Sequence, residues 1–186
     1  MNSNGGSVKG FEVGLQLPFR FANSIFRHMG LQANYTYVRS DIEYPLSTAA
    51  GAPVVVRSLT DLSRHSANVT LYYEDSRFSA RTSVAYRSNY LQAGGVPGRN
   101  GVPPGAGPAF NANAGQATFN DVEGVHGTIN VDVSASYRLN SHLTLTVEAL
   151  NLTDQYVDQY IDSAADRLSV YHHTGRQYYF GIRYTY

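Results

Sequence analysis

INVDVSASYR, residues 129–138, places an apolar side chain at every odd position and a polar one at every even position. HLTLTVEA at 142–149 and QYYFGIRYTY at 177–186 alternate in the same way. Across the three stretches, 14 of 14 positions on one face are apolar, against 1 of 14 on the other. Because successive side chains of a strand point to opposite faces, this period predicts two-faced β-strands.

Four upstream segments show the same period, at residues 11–17, 31–37, 66–74 and 77–87. The chain therefore has seven predicted strands of about 9 to 13 residues, against a usual length of about five or six. A tilted β-segment needs about 9–11 residues to cross a bilayer. The predicted fold class is all-β, an antiparallel meander of membrane-spanning length.

The composition excludes several other classes of protein. Fourteen Lys and Arg balance 14 Asp and Glu, so the chain has no excess positive charge for nucleic acid. The absence of cysteine excludes a disulfide framework and a thiolate metal site. No apolar run reaches the roughly 18 residues of a transmembrane helix. The first residues lack the basic and apolar regions of a signal peptide, so we expect this chain to carry none of its own.

Short and long connections alternate along the chain. Asp75-Ser76 and Asn140-Ser141 are predicted tight turns, whereas residues of about 41–61, 92–125 and 155–174 form long connections. In an antiparallel meander, this alternation places all the long loops at one end of the sheet. A transmembrane β-barrel has that layout, with short periplasmic turns and long extracellular loops.

The apolar face is predicted to meet lipid. A soluble sandwich or lipocalin-type barrel would turn the same face toward a protein interior, so alternation alone leaves both possibilities open. Strand length favours the membrane, and so do Tyr and Phe near strand ends, because a Tyr ring is apolar while its hydroxyl seeks water. The polar face suits a hydrated lumen. The alternatives are a soluble binding module and a small autonomous porin-like barrel.

Six stretches of the chain resemble TonB-dependent outer-membrane receptors, most closely those of the Xanthomonas/Caulobacter type. They are GGSVKGFEVGLQ (5–16), GLQANYTYVRSD (30–41), SRHSANVTLYYED (63–75), FSARTSVAYRSNYL (78–91), LTLTVEALNLTDQ (143–155) and TGRQYYFGIRYTY (174–186). The most specific pair is the Asn-Leu-Thr-Asp element at 151–154 and the Thr-Gly-Arg element at 174–176 with its closing aromatic strand.

This resemblance implies that residues 1–186 form the C-terminal part of a 22-stranded barrel, about seven strands, without the plug domain that fills the lumen. It implies an outer-membrane receptor that takes up a scarce nutrient, which is a siderophore, haem, cobalamin or a saccharide. The TonB–ExbB–ExbD complex would energise uptake through the missing N-terminal region. The expected partners are outer-membrane lipid, the rest of the parent barrel, the plug and the outer-membrane assembly machinery.

The C-terminal strand is one candidate functional element. Its apolar side chains alternate up to the last residue, at Tyr178, Phe180, Ile182, Tyr184 and Tyr186. The resemblance implies that such an ending is the signal read by the assembly machinery, through strand addition to an exposed edge.

Arginines on the polar face are the candidate ligand contacts. Arg77, Arg81 and Arg87 share one face of a predicted strand and could attract an anionic ligand group. The alternative is a solvated ion-pair network with nearby carboxylates. Those carboxylates are Glu12, Glu74, Asp132 and Glu148.

No catalytic or metal-binding pattern is present. The adjacent His172 and His173 would point to opposite faces of a regular strand, so we predict no metal site there. The sequence has no phosphate-binding loop, nucleophile elbow or zinc motif. We therefore predict no enzyme activity, no catalytic residue and no cofactor.

Overall fold

The structure is a computed structural model that describes residues 5–20, 24–45, 54–92, 123–161 and 166–186. The strands in these ranges are β1 Gly6–Pro18, β2 Met29–Pro45, β3 Val54–Arg57, β4 His65–Glu74, β5 Phe78–Arg87, β6 Tyr90–Leu91, β7 Glu123–Val125, β8 Thr128–Arg138, β9 Leu143–Leu150, β10 Val157–Ile161, β11 Arg167–His172 and β12 Gln177–Tyr184. A short 3₁₀ helix spans Ser24–His28. No helix in the described ranges is long and apolar enough to cross a membrane.

The seven predicted long strands form one antiparallel sheet. Its order is β1-β2-β4-β5-β8-β9-β12, with β3 paired to β2, so each long strand lies beside the next one along the chain. The fold class predicted from the alternation is confirmed: the chain is an all-β barrel segment. The sheet is open, because no described strand joins β1 to β12.

The two tight turns use the same device. The backbone N–H groups of Arg77 and Phe78 donate to Asp75 Oδ1, each at 2.8 Å. In the β8–β9 turn, the N–H groups of His142 and Leu143 donate to Asn140 Oδ1 at 2.8 and 2.9 Å. An Asp or Asn side chain that accepts N–H groups two and three residues ahead fixes a two-residue reversal. We call the end of the strands that carries these tight turns the turn end, and the opposite end of the strands the loop end.

Additional short strands extend the wall at the loop end. β6 and β7 continue the β5–β8 pairing in the same register, because Tyr90 opposes Val125 just as Arg87 opposes Thr128. β7 then pairs with β10, and β10 with β11. β3, β7, β10 and β11 lie within the segments that the sequence assigns to long connections, and β6 lies directly before the second of them. Parts of those connections, residues 46–53, 93–122 and 162–165, lie outside the described residues.

The apolar face of the main sheet has no protein layer behind it. Phe180 is 80% exposed and Ile182 is 76% exposed, and Leu and Val side chains along β1, β4 and β9 are exposed as well. Among the described residues the buried hydrophobic side chains are Ile42, Tyr44 and Val125, all at the loop end. A soluble sandwich would bury this face, since apolar burial is the main favourable term in folding. The face is built to meet a hydrocarbon environment.

Aromatic rings border this face at both ends. At the loop end, the Phe11 ring lies 5.6 Å from the Tyr37 ring, and Tyr37 lies 5.2 Å from the His65 ring. At the turn end, the Tyr73 ring lies 5.8 Å from both His28 and Phe78. We call these groups the loop-end and turn-end aromatic clusters; Leu, Val and Ala fill the band between them.

The spacing of the two clusters matches a membrane. His65 of the loop-end cluster and Tyr73 of the turn-end cluster are eight residues apart on β4, which is about 27 Å along a strand and about 20 Å along the axis of a barrel with strands tilted by about 40°. Outer-membrane barrels carry an apolar band about 25 Å tall between two aromatic girdles. The apolar face therefore has the height and the borders of a lipid-facing band.

Candidate ligand-facing wall and assembly strand

Short polar side chains on the opposite face satisfy one another across strands. The hydroxyls of Thr70 and Ser83 lie 3.0 Å apart, and those of Ser79 and Ser136 lie 2.8 Å apart. Because these groups are paired laterally and also reach water, the polar face needs no covering layer. It can form the wall of a hydrated space.

Open depressions lie along this polar face. One of about 520 Å³ is lined by residues of β1, β2 and β4, with Gln, Asn and Thr side chains among them. Two further depressions, of about 250 and 240 Å³, are lined by polar residues of β5, β8 and β9. A sheet with open depressions on its polar side and an exposed apolar side suits the wall of a water-filled membrane barrel.

Arg87 is held in place by the loop end of the wall. Its Nε donates to Ser63 Oγ at 2.6 Å, and its Nη2 donates to the Asp61 carbonyl oxygen at 2.9 Å. Its guanidinium carbon also lies 3.8 Å from the centre of the Tyr90 ring, in cation–π geometry. The Arg87 guanidinium therefore links residues 61–63, which precede β4, to β5 and β6.

Arg81 lies at mid-height and lines both depressions of the β5–β8–β9 wall. It is exposed, and in the sheet register it stands between Tyr72 of β4 and Ser134 of β8. Arg77 lies instead beside the Asp75 turn, ten residues before Arg87. Ten strand residues span about 33 Å, so the structure does not bring the three predicted arginines together into one site.

The described ion pairs do not involve the three predicted arginines. Within the described ranges, no ion pair joins Arg77, Arg81 or Arg87 to a carboxylate, and the pairs that do form involve Arg39–Asp41, His126–Asp166 and His173–Asp154. The register explains this result, because Ser134 stands between Arg81 and Glu148. Two inter-strand spacings, about 9.6 Å, separate the backbones of Arg81 and Glu148.

The C-terminal strand pairs on one side only. All eight residues of β12 are in register with β9, and no described strand lies on its other edge. Tyr178, Phe180, Ile182, Tyr184 and Tyr186 are all exposed, as the alternation predicts. The strand ends at Tyr184, and the pairing extends by one further bond, from Thr185 N–H to the His142 carbonyl oxygen at 2.9 Å.

The Asn-Leu-Thr-Asp element is a hydrogen-bonded clasp at the loop end. The Asn151 Nδ2 group donates to the carbonyl oxygens of Gln155 and Gly175, at 2.9 and 3.2 Å, and its Oδ1 accepts the Gln155 N–H at 2.7 Å. Arg176 Nε donates to the Leu152 carbonyl oxygen at 3.0 Å. These bonds join the end of β9 to the start of β12, which explains why the two sequence elements occur together.

A protein-family comparison adds to this geometry. Residues 1–152 match the model of the family described as TonB dependent receptor-like, beta-barrel. The chain belongs to the TonB-dependent receptor β-barrel family. No curated protein and no solved structure gave a significant match.

Membership of this family gives the location and the broad function. TonB-dependent receptor barrels are outer-membrane receptors and transporters that work with the TonB complex, and they are not enzymes. The matched region ends at residue 152, but β12 pairs with β9 inside it, and the clasp ties the two regions together. The receptor wall therefore continues without interruption to β12.

Sequence reasoning missed the aromatic and histidine side chains of the short loop-end strands. The Tyr156 and Tyr171 rings lie 4.8 Å apart, and the His126 and Tyr160 rings 4.6 Å apart. His173 of the adjacent histidine pair lies 3.0 Å from Asp154 Oδ1. These five tyrosine and histidine positions come from β7, β10, β11 and their flanks, so only the tertiary pairing brings them together.

Proposed function

We propose that this chain is the C-terminal part of a TonB-dependent receptor barrel of the Xanthomonas/Caulobacter type. It would contribute about seven of 22 strands, and the rest of the barrel and the plug would belong to the same receptor. The six sequence stretches that resemble such receptors support the subfamily. The open edges at β1 and β12 support a larger barrel, because unpaired strand edges are prohibitive in lipid.

In this receptor the turn end faces the periplasm and the loop end faces the outside. Short periplasmic turns and longer extracellular loops are the rule for outer-membrane barrels. The extension of the wall by β6, β7, β10 and β11 would then stand above the membrane, where nutrient arrives. The segments around residues 41–61, 92–125 and 155–174 would be its extracellular loops.

The proposed activity is uptake of a scarce nutrient energised by TonB–ExbB–ExbD, with a siderophore, haem, cobalamin or a saccharide as the transported class. The observation that carries this proposal is the pairing of an exposed apolar face with a polar face that carries open depressions. A lipid-facing wall around a hydrated interior is what a transport barrel requires.

Arg81 is the strongest of the proposed ligand contacts. Arg87 already donates to Ser63 and to the Asp61 carbonyl group, and Arg77 lies at the turn end, where it would meet ligand only late in transport. Arg81 lines two depressions at mid-height and has no ion-pair partner in the described ranges. Its guanidinium can bind a carboxylate or phosphate of a passing ligand in a bidentate way.

The C-terminal aromatic ladder is the proposed assembly signal. Tyr178, Phe180, Ile182, Tyr184 and Tyr186 present one continuous apolar row on a strand with a free edge. Strand addition uses the backbone groups of a free edge for affinity and alternate side chains for specificity. β12 offers both features to the outer-membrane assembly machinery.

A transport assay tests the proposal. Cells that express the receptor and matched deletion cells are supplied with labelled ferric siderophore, haem, cobalamin or maltooligosaccharide, with and without a protonophore. We expect accumulation of one class only in expressing cells, and its loss when the proton gradient is collapsed. TonB-energised transport would be refuted if deletion cells accumulate every class as much as expressing cells do. It would also be refuted if uptake survives the protonophore.

A further inference from the structure

The connection between β1 and β2 differs from the other reversals at the turn end. The β4–β5 and β8–β9 reversals are tight turns, whereas this one runs from residue 19 to the 3₁₀ helix Ser24–His28. Ile25 and Phe26 of that helix are 55% and 56% exposed. Two large apolar side chains are therefore exposed in a reversal, where a turn needs neither of them. Residues 21–23 lie outside the described part.

The helix ends against the lipid-facing side of the sheet. The His28 ring lies 5.8 Å from the Tyr73 ring, and His28 Nδ1 lies 3.2 Å from the Glu74 carbonyl oxygen. Tyr73 belongs to the turn-end aromatic cluster, which borders the apolar band. The helix that carries Ile25 and Phe26 therefore ends at the level of the sheet where aromatic side chains mark the bilayer interface.

Basic side chains surround this apolar pair. Arg20 and Arg27 are exposed on either side of it. The described turn end holds more arginines than carboxylates. The arginines are Arg20, Arg27, Arg77, Arg138 and Arg183, and the carboxylates are Glu74 and Asp75. The Asp75 carboxylate keeps its negative charge and accepts hydrogen bonds from Tyr73 and two backbone N–H groups, so basic side chains outnumber acidic ones at this end.

We propose that residues Arg20, Ile25, Phe26 and Arg27 form an interfacial foot that binds anionic glycerophospholipid in the periplasmic leaflet. Ile25 and Phe26 enter the acyl-glycerol region, and the two guanidinium groups bind headgroup phosphates. Amphipathic segments at an interface combine these two contributions, and each basic residue near an anionic surface adds binding energy. The proposal rests on the orientation given above, in which the turn end is periplasmic.

Photocrosslinking in the native membrane tests the foot. Phe26 is replaced by p-benzoylphenylalanine in the membrane-inserted protein, outer membranes of expressing cells are irradiated, and lipid adducts are identified by mass spectrometry. Tyr86, at the loop-end border of the apolar face, receives the same label in a matched control. We expect phosphatidylglycerol and cardiolipin adducts at position 26 above their share of the membrane, and lipid A adducts at position 86.

Charge variants then isolate the role of the arginines. We expect Arg20→Gln and Arg27→Gln each to lower the anionic share of adducts about fivefold, and Arg20→Lys with Arg27→Lys to retain it. Two results would overturn the foot and leave the orientation intact. Either the adducts at position 26 follow the bulk phospholipid composition, or position 26 gives no lipid adduct while position 86 does. Lipid A adducts at position 26 would instead refute the orientation.

Discussion

The side-chain amide of Asn151 donates to the carbonyl oxygen of Gly175 at 3.2 Å, across 24 residues of chain. Asn151 adopts a left-handed backbone conformation with φ of 55°, which Asn tolerates better than most residues. Its backbone N–H also donates to Asp132 Oδ1 of β8 at 2.8 Å. One residue therefore links β8, β9 and the approach to β12.

Asn151→Gly should destabilise the folded wall. Glycine keeps the left-handed conformation but removes the side-chain bonds to Gln155 and Gly175, three in all, and a long one from Thr153 at 3.5 Å. At about 1 kcal/mol for each of the three shorter bonds, the predicted loss is about 3 kcal/mol. The measurement is the free energy of unfolding in urea for protein inserted in lipid vesicles. Asp61→Gly is the matched control, because Asp61 has a φ of 61° and no described side-chain hydrogen bond. Equal stability of the two variants would argue against the clasp.

Neighbouring residues at the middle of β4 test which face meets lipid. Val69 lies on the exposed apolar face, and Asn68 lies on the polar face beside the largest described depression. Val69→Arg should cost about 2–4 kcal/mol of folding free energy in vesicles, as charge does at the bilayer midplane. Asn68→Arg should cost far less, because its side chain remains in water. Equal costs, or a larger cost at position 68, would reverse the assignment of the faces.

The pKa of the Asp75 carboxyl gives a pH prediction for the turn end. A hydrogen bond from the Tyr73 hydroxyl, followed by bonds from the Arg77 and Phe78 backbone N–H groups, lowers the pKa of Asp75 to about 2. A pKa lowered on folding stabilises the folded state above the ordinary value near 3.8. That stabilisation is lost as the pH falls through about 2.

Urea unfolding between pH 5 and pH 2 measures this contribution. We expect the unfolding free energy to fall over that interval and the fall to shrink in Asp75→Asn. Asn keeps an acceptor for the two backbone N–H groups but does not titrate. Asp41→Asn is the control, because Asp41 lies at the loop end in an exposed pair with Arg39. A pH dependence that is the same in wild type and Asp75→Asn would contradict the prediction.

Arg81→Gln should weaken uptake if the transported ligand carries a carboxylate or phosphate. Loss of one charge-assisted contact of about 1.5–3 kcal/mol predicts a rise in the half-saturating ligand concentration of about tenfold to a hundredfold. Ser83→Ala, on the same face and strand, is the control for a small change in the wall. An unchanged half-saturating concentration, with normal amounts of barrel in the membrane, would remove Arg81 from the set of ligand contacts.

The long strands were predictable because their signal is local. An alternation that persists over eight or more residues, as in β8, fixes both the strand and its two faces without tertiary information. The short strands were not predictable, because β6 has two residues and β7 has three. They become strands only through pairing that continues the longer ladders. The arginines of β5 show the same limit: sequence places them on one face, but strand length separates them.

The C-terminal residues test assembly separately from transport. Tyr186 follows the end of β12 and is fully exposed, so its removal disturbs no contact within the wall. We expect deletion of Tyr186 and the change Phe180→Ala each to lower the amount of protein in the outer membrane.

Tyr179→Ala is the control, because Tyr179 lies on the same strand with the opposite face. Its hydroxyl donates only to Gln177 Oε1, at 2.8 Å. The amount of folded barrel is measured by its heat-dependent mobility in electrophoresis. Equal amounts in all three variants and the wild type would show that the aromatic row does not direct assembly, since the fold itself would then suffice.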